Sequence, residues 1–166
     1  MTTARRTVRD GIVVGLIGYV SVAAWYSVFD LLAARRTLYT VNLLGEAVFR
    51  GLRDPGVLQY PIHLDMPAIF LYNALHLVIA LAVGLIVTRL VAQAEQHPAQ
   101  APAILFTIIA GFVVTVLGVG VLTGPMRSVL PWWSIVLANA LASLLAGAYL
   151  LRARPGTWHR LVLLAG

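Results

Sequence analysis

The sequence predicts an all-α integral membrane protein: a four-helix transmembrane bundle with an additional amphipathic interfacial helix between the first and second spans. Three observations carry this. Of the 166 residues, 60% are hydrophobic and only 11% charged, with a mean hydropathy of +0.89. An ordinary soluble domain is about a quarter charged, so lipid must cover much of this exterior. Four uncharged stretches, Gly11–Phe29, Met66–Thr88, Ala103–Gly124 and Pro131–Leu151, are each long enough to cross a bilayer; about 20 apolar residues suffice. Proline, glycine and arginine punctuate the breaks between them. Only helices satisfy their own backbone polar groups in such runs.

The elements follow in order as one transmembrane domain, with spans at about 11–33, 66–88, 103–124 and 131–151. The first run is too long for the apolar region of a secretory signal, and Trp25–Tyr26–Ser27 makes a poor cleavage site. Asp65 is placed to cap the second span, with Pro67 in its first turn, where a missing N–H is harmless. Pro102 and Pro131 open the third and fourth spans; Gly124–Pro125 and Arg152 close them. The short link Gln93–Ala101 makes the second and third spans antiparallel neighbours, and Pro125–Pro131 is tighter still.

The connection between Phe29 and Met66 is too long for a structureless loop. Within it Leu38, Val41, Leu44, Val48, Phe49 and Leu52 recur at helical spacing, with Thr40, Glu46, Arg50 and Arg53 on the opposite face. This predicts an amphipathic helix over about 40–52, lying in the headgroup plane, with Glu46 and Arg50 in the favourable i,i+4 orientation. A lid or docking surface on one side of the bundle is the functional alternative.

All twelve basic residues are arginines, against six acids. They flank apolar runs and form no basic stripe, so nucleic acid is not an expected partner. Arg5, Arg6, Arg9, Arg89, Arg152, Arg154 and Arg160 share one side; Arg35, Arg36, Arg50, Arg53 and Arg127 share the other. The positive-inside rule then places both termini in the cytoplasm, in a multi-pass protein of the bacterial inner membrane. Trp25, Tyr26, Trp132, Trp133, Tyr149 and Trp158 sit near run ends, where aromatic belts form. No internal repeat supports an inverted-repeat transporter. Cysteine is absent, which excludes disulfides, iron–sulfur clusters and thiol-redox relays.

Small residues are striped along the spans: Gly11, Gly15 and Gly18; Ala80 and Gly84; Gly120 and Gly124; Ala138, Ala142 and Ala146, with Asn139, Ser143 and Gly147 beside them. Such faces let backbones approach, within the chain or against a partner.

Polar residues at membrane depth are the candidate sites. His76 lies mid-span with Tyr72 and Asn73 one turn earlier, and an intramembrane ionisable group is a functional hypothesis by default. One reading is a neutral imidazole hydrogen-bonded to a neighbouring helix at Asn139 or Ser143. The others are a haem, pigment, quinone or proton site using His76, Tyr72 and Asn73. Asp30 ends the first span, where it would pair with Arg35 or Arg36 or anchor the span to the amphipathic helix. His63 and Asp65, on the side of Glu46 and Asp54, fall short of the three or four converging ligands a metal needs. No metal-protease, hydrolase or phosphate-loop motif is present; no catalytic residue is expected.

From Gly15 to Gly45, Trp25, Asp30, Arg36, Thr40, Leu44 and Gly45 fit an aromatic pair, an Asp, a G-R-P-like turn and a T-P-x-x-L-G-like step. In this the segment resembles a family of small, uncharacterised bacterial four-span membrane proteins. Ala34, Thr37 and Val41 stand where that pattern has its glycine and prolines. The resemblance implies no activity, but it does imply that the Asp–Arg turn and the helix after it form a recurring structural unit.

These features predict a non-catalytic accessory subunit of a larger membrane complex, of respiratory or photosynthetic type, with lipids and other membrane subunits as partners. A small self-associating transporter or channel past His76, Asn73 and Asn139 is the second reading. A haem- or quinone-binding redox protein is the third.

Overall fold

The computed structural model describes residues 3–54, 56 and 63–155. Helix α1 is Thr3–Leu32, α2 Tyr39–Phe49, α3 Met66–Gln96, α4 Ala101–Leu122 and α5 Trp132–Ala153. Short 3-10 turns at Pro98–Gln100 and Gly124–Met126 lead into and out of α4. Helices α1, α3, α4 and α5 are long and apolar enough to cross a membrane. Two of them outrun their uncharged cores. Helix α1 begins before Arg5, Arg6, Arg9 and Asp10, and α3 continues through Arg89 and Glu95. Hydropathy marks what sits in hydrocarbon, but a helix ends only where a cap ends it.

The caps follow local chemistry. Asp65 accepts the Ala68 N–H at 3.0 Å, and Pro67 lies in the first turn of α3. Pro131, in extended conformation, starts α5. Helix α2 has Leu38 at its N-cap position and no side-chain cap of its own, so its first-turn N–H groups need a partner from elsewhere.

Helix α1 is central and packs against both α3 and α5. Its contact with α3 is a crossing of glycines. A Cβ on Gly15 would lie 2.7 Å from Leu81 Cα, and one on Gly11 would lie 2.9 Å from Leu85 Cα. From the other side, a Cβ on Gly84 would run into the backbone of Gly11 and Gly15. In lipid there is no hydrophobic drive between helices, so dispersion between close backbones must hold them. The stripes read on spans one and two therefore face each other. Gly120 instead accommodates the ring of Trp132, while Gly18, Gly124 and Gly147 face open space.

Helix α4 is the outlier, touching α3 and α5 only sparsely. Ala94, Ala101 and Ile104 join it to α3 beside the short link between them. The larger core lies at the opposite end, where Tyr39, Leu43, Met126, Leu130 and Ile135 cluster.

A helix forms where the periodicity places one, but its expected polar face is split: Thr40 and Glu46 turn inward beside Tyr39 and Leu43, and Arg50 and Arg53 stay exposed. Thr40, Asn42 and Glu46 are buried, whereas Val48 and Phe49 are exposed. Gly45 permits this by close approach to α3: a Cβ there would lie 2.7 Å from the Ala68 carbonyl oxygen. The expected Glu46–Arg50 pair is replaced, because Arg50 turns to Asp65 at 2.9 Å and Glu46 accepts from Asn42. The polar groups of α2 find partners on the ends of α1 and α3, and burial then costs them little.

Candidate functional site

Polar side chains collect in three places, one at mid-span and one at each end of the bundle. At mid-span, His76 is half-buried between two tyrosines. The ring of Tyr19 lies 5.3 Å away across the α1–α3 contact, and Tyr72 lies 6.2 Å away on α3. The Tyr19 hydroxyl donates to Asn73 Oδ1 at 3.0 Å, and Asn73 donates to the Ile69 carbonyl one turn back. Asn139 likewise donates to the carbonyl of Ile135 within its own helix. The residues beside His76 are thus Tyr19 and Tyr72. His159 and Trp158 lie outside the described residues, as do Arg160 and the stretch 57–62.

At the α2 end, Asp30 supplies the cap that α2 lacks. Its Oδ2 accepts the Thr40 N–H at 2.8 Å and its Oδ1 accepts the Thr40 hydroxyl at 2.6 Å. A carboxylate at a helix N-terminus is favoured by both the open N–H groups and the helix dipole. Neither Arg35 nor Arg36 forms an ion pair with Asp30 among the described residues. The Arg35 guanidinium donates to the Val129 carbonyl at 2.8 Å and lies 4.7 Å over the ring of Tyr39, while Arg36 is exposed.

Asn42 is the second tie. Its Oδ1 accepts the Asp65 N–H at 2.9 Å, and its amide donates to Glu46 Oε1 at 2.9 Å. Asp65 then binds Arg50, whose hydrogen bond, with the Ala68 N–H after it, holds the Asp65 carboxyl below its ordinary range. The same contact raises the Arg50 guanidinium. Of the H-x-D pair, Asp65 is therefore spent as a helix cap. Among the described residues no group of three or more His, Asp or Glu side chains could hold a metal ion.

At the opposite end lies a cluster that the sequence reading does not anticipate. Asp10 is fully buried, with Arg154 Nε 3.2 Å from its carboxylate and Arg9 3.2 Å away; Arg6 is at 3.9 Å. Arg154, itself 5% exposed, also binds Glu95 at 2.8 Å and the Thr7 hydroxyl at 3.0 Å. Tyr149 donates toward Asp10 at 3.4 Å, and Arg6 also reaches the Ala153 carbonyl. One guanidinium thereby joins α1, α3 and the C-terminal end of α5. A single signal was available: Asp10 is the one acid in an otherwise basic N-terminal segment. Its partner Arg154, and the Glu95 that binds the same guanidinium, stand far away in sequence and carry no local mark.

At each end carboxylates fasten one helix to another: Asp30 and Asp65 at the α2 end, Asp10 and Glu95 through Arg154 at the other. That arrangement suits holding a bundle together. No family model, curated protein or solved structure matches this chain.

Proposed function

We propose that the chain is a non-catalytic accessory subunit of a larger membrane assembly, docking through the outer face of α4. The observation that carries this is the contrast between two small-residue faces. Gly11, Gly15 and Gly84 are consumed inside the bundle. On α4, Thr107, Gly111, Thr115 and Gly118 follow one another at helical spacing, all exposed, and Gly111 and Gly118 have nothing within 4 Å. The same helix is the one least attached to its own chain. Small residues facing lipid forgo packing that a neighbouring helix would provide.

The remaining features fit this role. Ionic ties at both ends leave the bundle rigid enough to act as a spacer. In the membrane, α2 would sit at the interface with its apolar side, Val48 and Phe49, toward lipid. Both termini would lie on the cytoplasmic side.

The cysteine-free chain makes a clean test. Gly111→Cys should give one discrete thiol cross-linked adduct in native membranes, identifiable by mass spectrometry. Leu144→Cys, on α5 and 71% exposed, should not. The same cross-linking pattern from both positions, or none from Gly111, would exclude α4 as the docking face.

A further inference from the structure

On α1, beside Leu145 of α5, lies a shallow, open apolar groove of about 470 Å³, lined by Val13, Leu16, Ile17, Val20, Ser21 and Leu145. Its lining residues on α1 recur at intervals of three and four, so they form one stripe. Followed toward the N-terminus, that stripe reaches Arg9, four residues before Val13, and then Arg5. On α5 the stripe through Leu145 reaches Arg152 two turns later. The contact of Arg6 with the Ala153 carbonyl shows that these two helix ends meet. The groove therefore runs down from a cluster of arginines.

The charge at this end is unbalanced. Arg5, Arg6, Arg9, Arg89, Arg152 and Arg154 face only two described carboxylates, Asp10 and Glu95. Arg154 occupies both acids from inside. Arg9 shares Asp10 while its side chain stays 56% exposed, and Arg152 is exposed as well. From Val13 to Ser21 the groove extends ~12 Å at the helical rise per residue. That is close to one leaflet of hydrocarbon, roughly 15 Å.

We propose that this groove is a seat for an anionic phospholipid, its phosphate held by Arg9 and Arg152 and one acyl chain lying along Val13, Ile17 and Val20. Arginine offers a planar fork suited to two phosphate oxygens. The buried Asp10 fixes Arg9 from behind without neutralising the whole cluster. The seat lies on α1 and α5, so its fate is independent of the α4 docking face.

Native mass spectrometry of the full chain, released from vesicles of phosphatidylglycerol and phosphatidylcholine in equal parts, tests this. The wild-type chain should retain phosphatidylglycerol at least tenfold over phosphatidylcholine. Arg9→Gln with Arg152→Gln should abolish that preference, and Arg152→Gln alone should weaken it severalfold. Val20→Trp, at a position 58% exposed and so safe for folding, should block the groove and reduce retention with both arginines intact. Equal retention of the two lipids by the wild type would overturn the proposal. So would an unchanged preference in the Val20→Trp chain, or full competition by inorganic phosphate at millimolar concentration. Either result would reduce the site to a free-anion patch.

Discussion

The carboxylate of Asp30, at the end of α1, holds the backbone N–H and the hydroxyl of Thr40, in the first turn of α2, at 2.8 and 2.6 Å. One side chain thus ends a helix long enough to cross a membrane and starts the next element. Asp30→Ala should cost about 0.5–2 kcal/mol, the range for a lost helix cap. Thr40→Val should cost about 1–3 kcal/mol by leaving the carboxylate under-satisfied. Unfolding titrations in mixed micelles would measure both, and an unchanged midpoint in either variant would contradict the capping role.

Arg154 and Asp10 should behave as a coupled pair. Removing Arg154 alone, as Arg154→Met, leaves the buried Asp10 only the exposed Arg9 and Arg6 as cations and should cost up to about 3–5 kcal/mol, the figure for a fully broken buried pair. Asp10→Asn in the same chain should recover part of that loss. A double variant as destabilised as the sum of the singles would show that the two groups do not interact.

The glycine crossing predicts opposite outcomes for a single methyl group. Gly84→Ala must push α1 and α3 apart, because the new Cβ meets backbone and not a movable side chain. Gly147→Ala meets nothing within 4 Å and should be neutral, or stabilising by up to about 1 kcal/mol. Comparable losses for both substitutions in a thermal-shift series would mean that the α1–α3 approach is not this close.

Ala34 has φ of +55°, in the left-handed region where a Cβ costs roughly 1–2 kcal/mol. Ala34→Gly should therefore raise stability by about 1 kcal/mol, less the entropy glycine returns to the unfolded chain. A lowered unfolding midpoint would show that entropy outweighs the relieved strain.

Asp65 links stability to pH. Its folded-state pKa is depressed, chiefly by the Arg50 hydrogen bond. The contribution is fully present above the unfolded value, about 3.9 for an aspartate, and is lost as pH falls through the lower folded value. Between pH 5 and pH 2, Arg50→Gln should flatten the acid limb of the stability curve. An identical acid limb in both chains would remove Asp65 as its source.

Local signals were enough for the spans, because hydropathy is a sum over neighbours in sequence. The cap at Asp65 and Pro67 was legible for the same reason: donor and acceptor lie three residues apart. The glycine faces could be seen on each helix, but not which pair would meet. For α2 the periodicity located the helix but did not separate its faces, since Thr40 and Glu46 are buried beside Tyr39 and Leu43 while Arg50 and Arg53 are exposed. It could not say which face turned inward, since a polar face can find water or protein partners equally well. Asn42 went unnoticed because its partner Asp65 stands well down the chain.

By itself the sequence determined that this chain carries four helices long and apolar enough to cross a bilayer, and that no cysteine chemistry is open to it; it did not determine where α1 starts or α3 stops. Tertiary structure alone decided that Asp10 and Arg154 meet, that Thr40, Asn42 and Glu46 of α2 are buried, and that Thr107, Gly111, Thr115 and Gly118 of α4 are exposed. The division has one physical cause. Burial in lipid is settled residue by residue along a helix, while a charge or a glycine has meaning only through what a distant segment brings against it.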